Sequence, residues 1–185
     1  FDSSLIRHGG EDSIMHFDLE SNWKLAVENF CEAYHLPMVH PALNTYSRLE
    51  DHENIEEETY SGQVSLVYAP DRGDHVLPRF PDLPDHWTTR AEYIALYPNV
   101  LLAIHYDHFY AVRILPNGPD GCHETFDLYY VGDEPTQPGS ANLRATVRET
   151  WREVFQEDVD VVEGMQKGRA SPGFDGGVFT PVLEG

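Results

Sequence analysis

Four stretches rich in branched and aromatic residues, set apart by strong turn signals and followed by one long amphipathic helix, narrow what this chain can fold into. They cover 92–96, 101–105, 106–115 and 123–131. Pro98-Asn99 and the run from Pro116 to Gly121 punctuate them, so they read as an antiparallel meander. A further strand is expected at 63–69, and a weakly alternating edge strand at 14–19. The region 41–58 reads as loop with a short helix, and 71–89, with Gly73, Pro78, Pro81 and Pro84, as a long ordered loop. After a turn at 135–140, helical spacing runs over 142–167. One earlier helix, a sheet and a late helix make an α+β pattern, and 185 residues suffice for one domain with a proper core.

The earlier helix begins near Asn22, which Ser21 or Asn22 itself can cap. Trp23, Ala26, Val27, Phe30 and Tyr34 form its apolar stripe, with Glu28, Glu32 and His35 on the other side. His35 and His40 are five apart, about 140° on a straight helix, and there cannot share one ion. Pro37 lies between them. It removes a donor and disfavours helical geometry at Leu36, so a break there is expected to swing His40 towards His35. Two neutral imidazoles meeting at one point begin a transition-metal site. The plain alternative is two unrelated histidines among ten.

The late helix carries an anomaly. Trp151, Val154, Phe155, Val161, Val162 and Met165 make one apolar face, and Asp158 sits in its middle. A carboxylate aimed into a core costs several kcal/mol (about 2–7 even for a neutral polar group) unless it is paired or binds metal. Glu153, Glu157, Asp160 and Glu163 lie off the stripe and need no such explanation. His105 and His108, three apart on one strand, are expected on opposite faces, His105 towards a pocket.

The string Asn22-Trp23-Lys24, Glu28-Asn29-Phe30, Glu32, Tyr34-His35, His40-Pro41 resembles the iron-binding segment of the α subunit of Rieske-type non-haem iron ring-hydroxylating oxygenases. The later stretch Glu157-Asp158, Glu163, Gln166, Gly168 resembles that family's second iron segment. The resemblance implies a helix-grip (START/Bet v1-like) fold, an antiparallel sheet curled around the long C-terminal helix. It implies mononuclear Fe(II) held by His35, His40 and Asp158, with positions open for O₂. Glu32 would link that iron to a neighbouring subunit's cluster, and Asn29 would lie close by. Electrons would come from NAD(P)H through a reductase or ferredoxin and a Rieske [2Fe-2S] cluster, in a homotrimer. Cys31 and Cys122 are the two cysteines and form no Cys-x-His and Cys-x-x-His pair, so 1–185 is expected to be the catalytic domain with the N-terminal Rieske domain absent from it.

Substrate class stays open between hydroxylation of an aromatic compound, towards which the resemblance leans, and oxidation or N-demethylation of a quaternary ammonium compound of betaine, choline or carnitine type. A helix-grip ligand-binding domain without chemistry and a zinc hydrolase using the same three ligands are the other readings. The net charge of −20 argues against nucleic acid or an anionic membrane and suits a cationic partner. No apolar run reaches the roughly 18 residues of a membrane span, and two cysteines make no disulfide framework, so a reducing, cytoplasmic location is expected.

Overall fold

The computed structural model describes residues 2–71 and 76–177; Gly73, expected in the long loop, lies outside them. Eight strands form one antiparallel sheet: β1 (Ile6–His8), β2 (Ile14–Leu19), β3 (His52–Glu56), β4 (Tyr60–Ser65), β5 (Ala91–Leu96), β6 (Val100–Ile104), β7 (His108–Pro116) and β8 (Cys122–Val131). Their order is β1-β8-β7-β6-β5-β4-β3, and β2 also pairs with β8. The long β8 therefore takes β2 along its first residues (Leu19 opposite Cys122) and β1 along its last (Ile6 opposite Val131). Among the described residues three α-helices join the sheet: α1 (Trp23–Cys31), α2 (Leu36–Val39) and α3 (Ala141–Arg169).

Period-two patterning puts the core on one face of the sheet. Tyr110, Val112 and Ile114 of β7 and Phe126, Leu128 and Tyr130 of β8 are buried there. On α3, Val147, Trp151, Phe155 and Val162 recur at helical spacing and pack onto that face. Burying side chains such as Trp151 and Phe155 contributes roughly 1.5–3 kcal/mol each. The sheet and the long helix it wraps are the expected helix-grip architecture, with the helix two residues longer at its C-terminal end than its spacing suggested.

Three expectations need correction. The edge strand β3 was read as loop, because its sequence HENIE is acidic and carries no alternation. β4 begins three residues before the expected strand and ends at Ser65. The first helix ends at Cys31, so Tyr34 is not on its apolar stripe and is 38% exposed. Among the described residues, no helix is long and apolar enough to cross a membrane.

Candidate metal centre

The Asn22 side chain caps α1 by accepting from Lys24 N, and the helix runs for nine residues. It stops without a breaker residue. Glu32 is extended, at φ −118° and ψ 161°. The cause lies on β4: the Gln63 side-chain amide donates to the carbonyls of Phe30 (3.2 Å) and Glu32 (2.6 Å) and supplies partners that a further turn would have given. The expected break at Leu36 is thus displaced to Glu32. Pro37 sits in the first turn of α2, where its missing N–H costs nothing. His35 and His40 flank that short helix, their rings 5.0 Å apart at 75°. The expected convergence is met by a different backbone route.

Asp158 meets them from α3. One donor atom from each of His35, His40 and Asp158 lies within 4.8 Å of the others. His40 Nε2 is 3.0 Å from Asp158 Oδ1, and His35 Nε2 is 3.7 Å from the same oxygen. Two ligands at right angles, each about 2.1 Å from a metal, stand about 3.0 Å apart. Two imidazoles and one carboxylate, at separations that small shifts bring to this value, fit a ferrous or zinc ion.

Each histidine presents Nε2 to the centre and Nδ1 to an outer carboxylate. His35 Nδ1 bonds Glu32 Oε1, and the same carboxylate accepts from His35 N (3.3 Å). His40 Nδ1 lies 2.7 Å from Glu157 Oε2. Carboxylates so placed fix the ring and its tautomer for metal binding. Glu157, expected only as an acid off the apolar stripe, is half-exposed, yet one edge of it holds a buried imidazole. Asn29 is also buried, and its Nδ2 donates to Asp158 Oδ1 (2.9 Å). On His40, burial pulls the imidazole pKa down, but Asp158 and Glu157 outweigh it and hold it above its ordinary value.

His105 and His108 depart from expectation. β6 ends at Ile104 and β7 begins at His108, so a tight turn separates them, closed by His105 N to His108 O (3.0 Å). Both rings are fully buried on the same side, stacked in parallel at 4.3 Å. His105 packs on Tyr68 and Trp151 rather than reaching the triad.

Two residues near the triad escaped the sequence reading. His52 lines the cavity beside the triad and is bound on both sides, Nδ1 by Gln63 Oε1 and Nε2 by Ser47 Oγ. Glu124 is buried on the inward face of β8 beside Phe126; burial first, and the charge of Asp158 second, push its carboxyl up to about 8. Its place in the alternation Cys122, Glu124, Phe126, Leu128, Tyr130 was the available signal. The cavity itself is walled by Phe30, Tyr93, Tyr110, Trp151 and Phe155 and leaves about 50 Å³ free.

The model for the catalytic domain of the ring-hydroxylating alpha subunit matches residues 7–185. The chain belongs to this family. Among ring-hydroxylating alpha subunits and their kin, it is 26% identical over 184 residues to choline monooxygenase, chloroplastic, of Arabidopsis thaliana, covering 96% of this chain and 41% of that protein. It is 23% identical over 160 residues to the carnitine monooxygenase oxygenase subunit of Acinetobacter baumannii, covering 84% and 40%. The quaternary ammonium Rieske monooxygenase CntA, solved with the inhibitor MMV12, superposes with a TM-score of 0.70 at 17% identity, over 92% of this chain and 42% of that one. This ring-hydroxylating alpha subunit domain therefore spans about two-fifths of the length of those relatives.

Proposed function

We propose that this chain is the mononuclear-iron catalytic domain of a Rieske-type oxygenase, acting on a quaternary ammonium compound. The observation that carries the reading is the meeting of His35 Nε2, His40 Nε2 and Asp158 Oδ1, with both Nδ1 atoms taken by carboxylates. Bound there, ferrous ion supplies a site for O₂ beside the substrate. The protein's own groups do the rest. Glu32 and Glu157 keep each Nδ1 protonated and each Nε2 lone pair turned inward. Asn29 holds Asp158 at one oxygen, which fixes the angle of the third ligand.

The relatives' names, choline and carnitine, support a cationic substrate over the aromatic one towards which the sequence leaned. So do the aromatic faces of Tyr93, Tyr110 and Trp151 in the cavity wall and the net charge of −20. The free space is smaller than the roughly 150 Å³ that accepts benzene, so substrate enters only when a wall side chain moves. Trp151 is shared with a wider cavity of about 620 Å³ between Tyr46, Tyr68 and α3, which is the natural approach.

Glu32 also lines a cavity of about 300 Å³ on its outer side, with Lys24, Glu28 and Glu56. It stands between His35 and that groove, which suits an acid passing electrons from a neighbouring subunit's Rieske cluster, fed from NAD(P)H by a reductase or ferredoxin, within a homotrimer. The Rieske domain itself would lie outside these 185 residues. The free thiols Cys31 and Cys122 suit a reducing compartment such as the cytoplasm.

Metal analysis of protein prepared anaerobically tests the reading. About one ferrous ion per chain, bound through two imidazoles and a carboxylate, is expected. Tight zinc with hydrolytic activity would instead support the hydrolase, and absence of any metal the plain ligand-binding domain. With the Rieske half and reductase supplied, choline- or carnitine-like compounds should be oxygenated; turnover of aryl acids alone would return the substrate to the aromatic class.

A further inference from the structure

The metal reading leaves one buried acid without a part. Glu124 is 5% exposed, opposite Phe17 of β2 and Ile114 of β7. Asp158 and Asn29 line two cavities at once. One is the metal cavity, and the other is a small enclosure behind it whose far wall is Glu124, with Leu19, Leu101 and Val162 closing the sides. The enclosure has about 20 Å³ free, the room of a single water. Three polar groups border it: the Glu124 carboxyl, the Asn29 amide and the Asp158 carboxylate. A buried water takes about three such partners, and a space lined this way is wet.

We infer that Glu124 is a positioning residue of the metal centre, holding Asp158 from behind through one enclosed water. In this arrangement Glu124 keeps its proton and donates it to the water. The water in turn donates to Asp158. Asn29 Nδ2 donates to Asp158 Oδ1 directly. The water thereby holds the carboxylate from the enclosure, while its Oδ1 takes the Asn29 amide and meets His35 and His40. A protonated acid fits the enclosure because an ionised one would place a second negative charge behind Asp158 in a poorly hydrated space. The inference rests on Asp158 being a metal ligand.

The test compares Glu124→Gln and Glu124→Leu in the full-length protein by two measurements. Ferrous-ion affinity of the metal-depleted form is read by anaerobic competition with a chromophoric chelator, and thermal stability of that form by calorimetry. Glu124→Leu should weaken iron binding about 10- to 100-fold, the usual cost of losing a group that orients a ligand. It should leave the melting temperature of the metal-free form equal or higher, since a buried polar group gives way to a hydrocarbon of similar size. Glu124→Gln, a neutral donor of the same shape, should restore affinity to within about threefold of the parent. Iron affinity unchanged in Glu124→Leu, or lost only in step with stability, would overturn the role. Equal loss in both variants would mean that Glu124 acts as a charge, which also overturns it. A parent protein that binds no iron would instead overturn the metal reading on which this one stands.

Discussion

The protein buries two pairs of histidines, and they could hardly be used more differently. His105 and His108 stack face to face, 4.3 Å apart, among Tyr68, Tyr93, Tyr110 and Trp151. His108 is engaged at both nitrogens. Trp151 Nε1 donates to its Nε2 (2.9 Å), so Nδ1 carries the proton and gives it to Asp107 (2.7 Å). His35 and His40 are nearly as buried, but their rings meet at 75°, an outer carboxylate takes Nδ1 of each, and both Nε2 atoms turn towards Asp158 Oδ1. Burial and residue type are shared, so neither predicts ligation. What separates the pairs is where the ring nitrogens point: those of His108 go to two different groups, Trp151 Nε1 and Asp107, whereas the Nε2 atoms of His35 and His40 turn to one carboxylate oxygen. Stacked rings whose nitrogens go to separate partners make a packing element; rings whose inner nitrogens share one carboxylate oxygen are poised for a cation.

Removing one member of each pair should break the comparison most sharply. His40→Ala should abolish stoichiometric iron, from about one equivalent per chain to near none, because one of the three proposed ligands is gone. His108→Ala should retain iron yet lose about 2–4 kcal/mol of stability, from the cavity and the orphaned Trp151 N–H. Paired metal analysis and denaturant titration would check both. Iron lost from His108→Ala at temperatures where it stays folded would contradict the division.

A smaller effect is expected from Glu157→Gln. The His40 ring keeps a partner for Nδ1, but a neutral one of lower acceptor strength. Iron affinity should fall about tenfold, the low end for such a change, because Glu157 is half-exposed and water can partly replace it. Chelator competition reads this, and an unchanged affinity would make Glu157 mere surface.

The gentlest probe is pH. Asp158 and Glu157 hold the His40 pKa above its ordinary value when no metal is bound, so the folded protein takes up a proton more readily than the unfolded chain. That contribution to stability is complete below the ordinary histidine pKa and fades as pH rises through the raised value. Iron bound at the proposed site would displace the Nε2 proton, so apparent affinity should climb over the same interval and then level off. Stability of the metal-free form and iron affinity should therefore run in opposite directions there. Glu157→Gln should move both transitions to lower pH.

Parts of this were legible from residues alone. Asp158 betrayed itself as an acid on an apolar stripe, and the meander followed from β-rich runs between Pro-Asn and Pro-Asn-Gly turns. The break at Glu32 was not legible. Nothing in Glu32-Ala33-Tyr34 forbids helix; a side chain thirty-one positions later, Gln63, draws the carbonyls away. His105 and His108 were misread for a related reason. The tight turn between β6 and β7 contains no glycine or proline, so three consecutive polar or aromatic residues looked like continuous strand. Glu157 was missed because its exposure is real on one edge, and periodicity sees a residue's average direction rather than the edge that makes the contact.

The distance along the chain between the proposed ligands has its own consequence. His40 and Asp158 are 118 positions apart, and β3 to β8 all lie between them. During synthesis both imidazoles leave the ribosome long before the carboxylate exists, and they cannot meet it until six strands have paired and the long helix has docked. On the proposed metal reading, capture would therefore be a late event, confined to chains that have already solved their topology. Once made, such a bond would act as a clasp across that loop. In chain-entropy terms, a cross-link closing a loop of that size removes roughly 4.7 kcal/mol worth of freedom from the unfolded ensemble. The ion would then serve as a proofreader of folding as well as a reagent: a misregistered sheet offers it two ligands, and only the correct one offers it three.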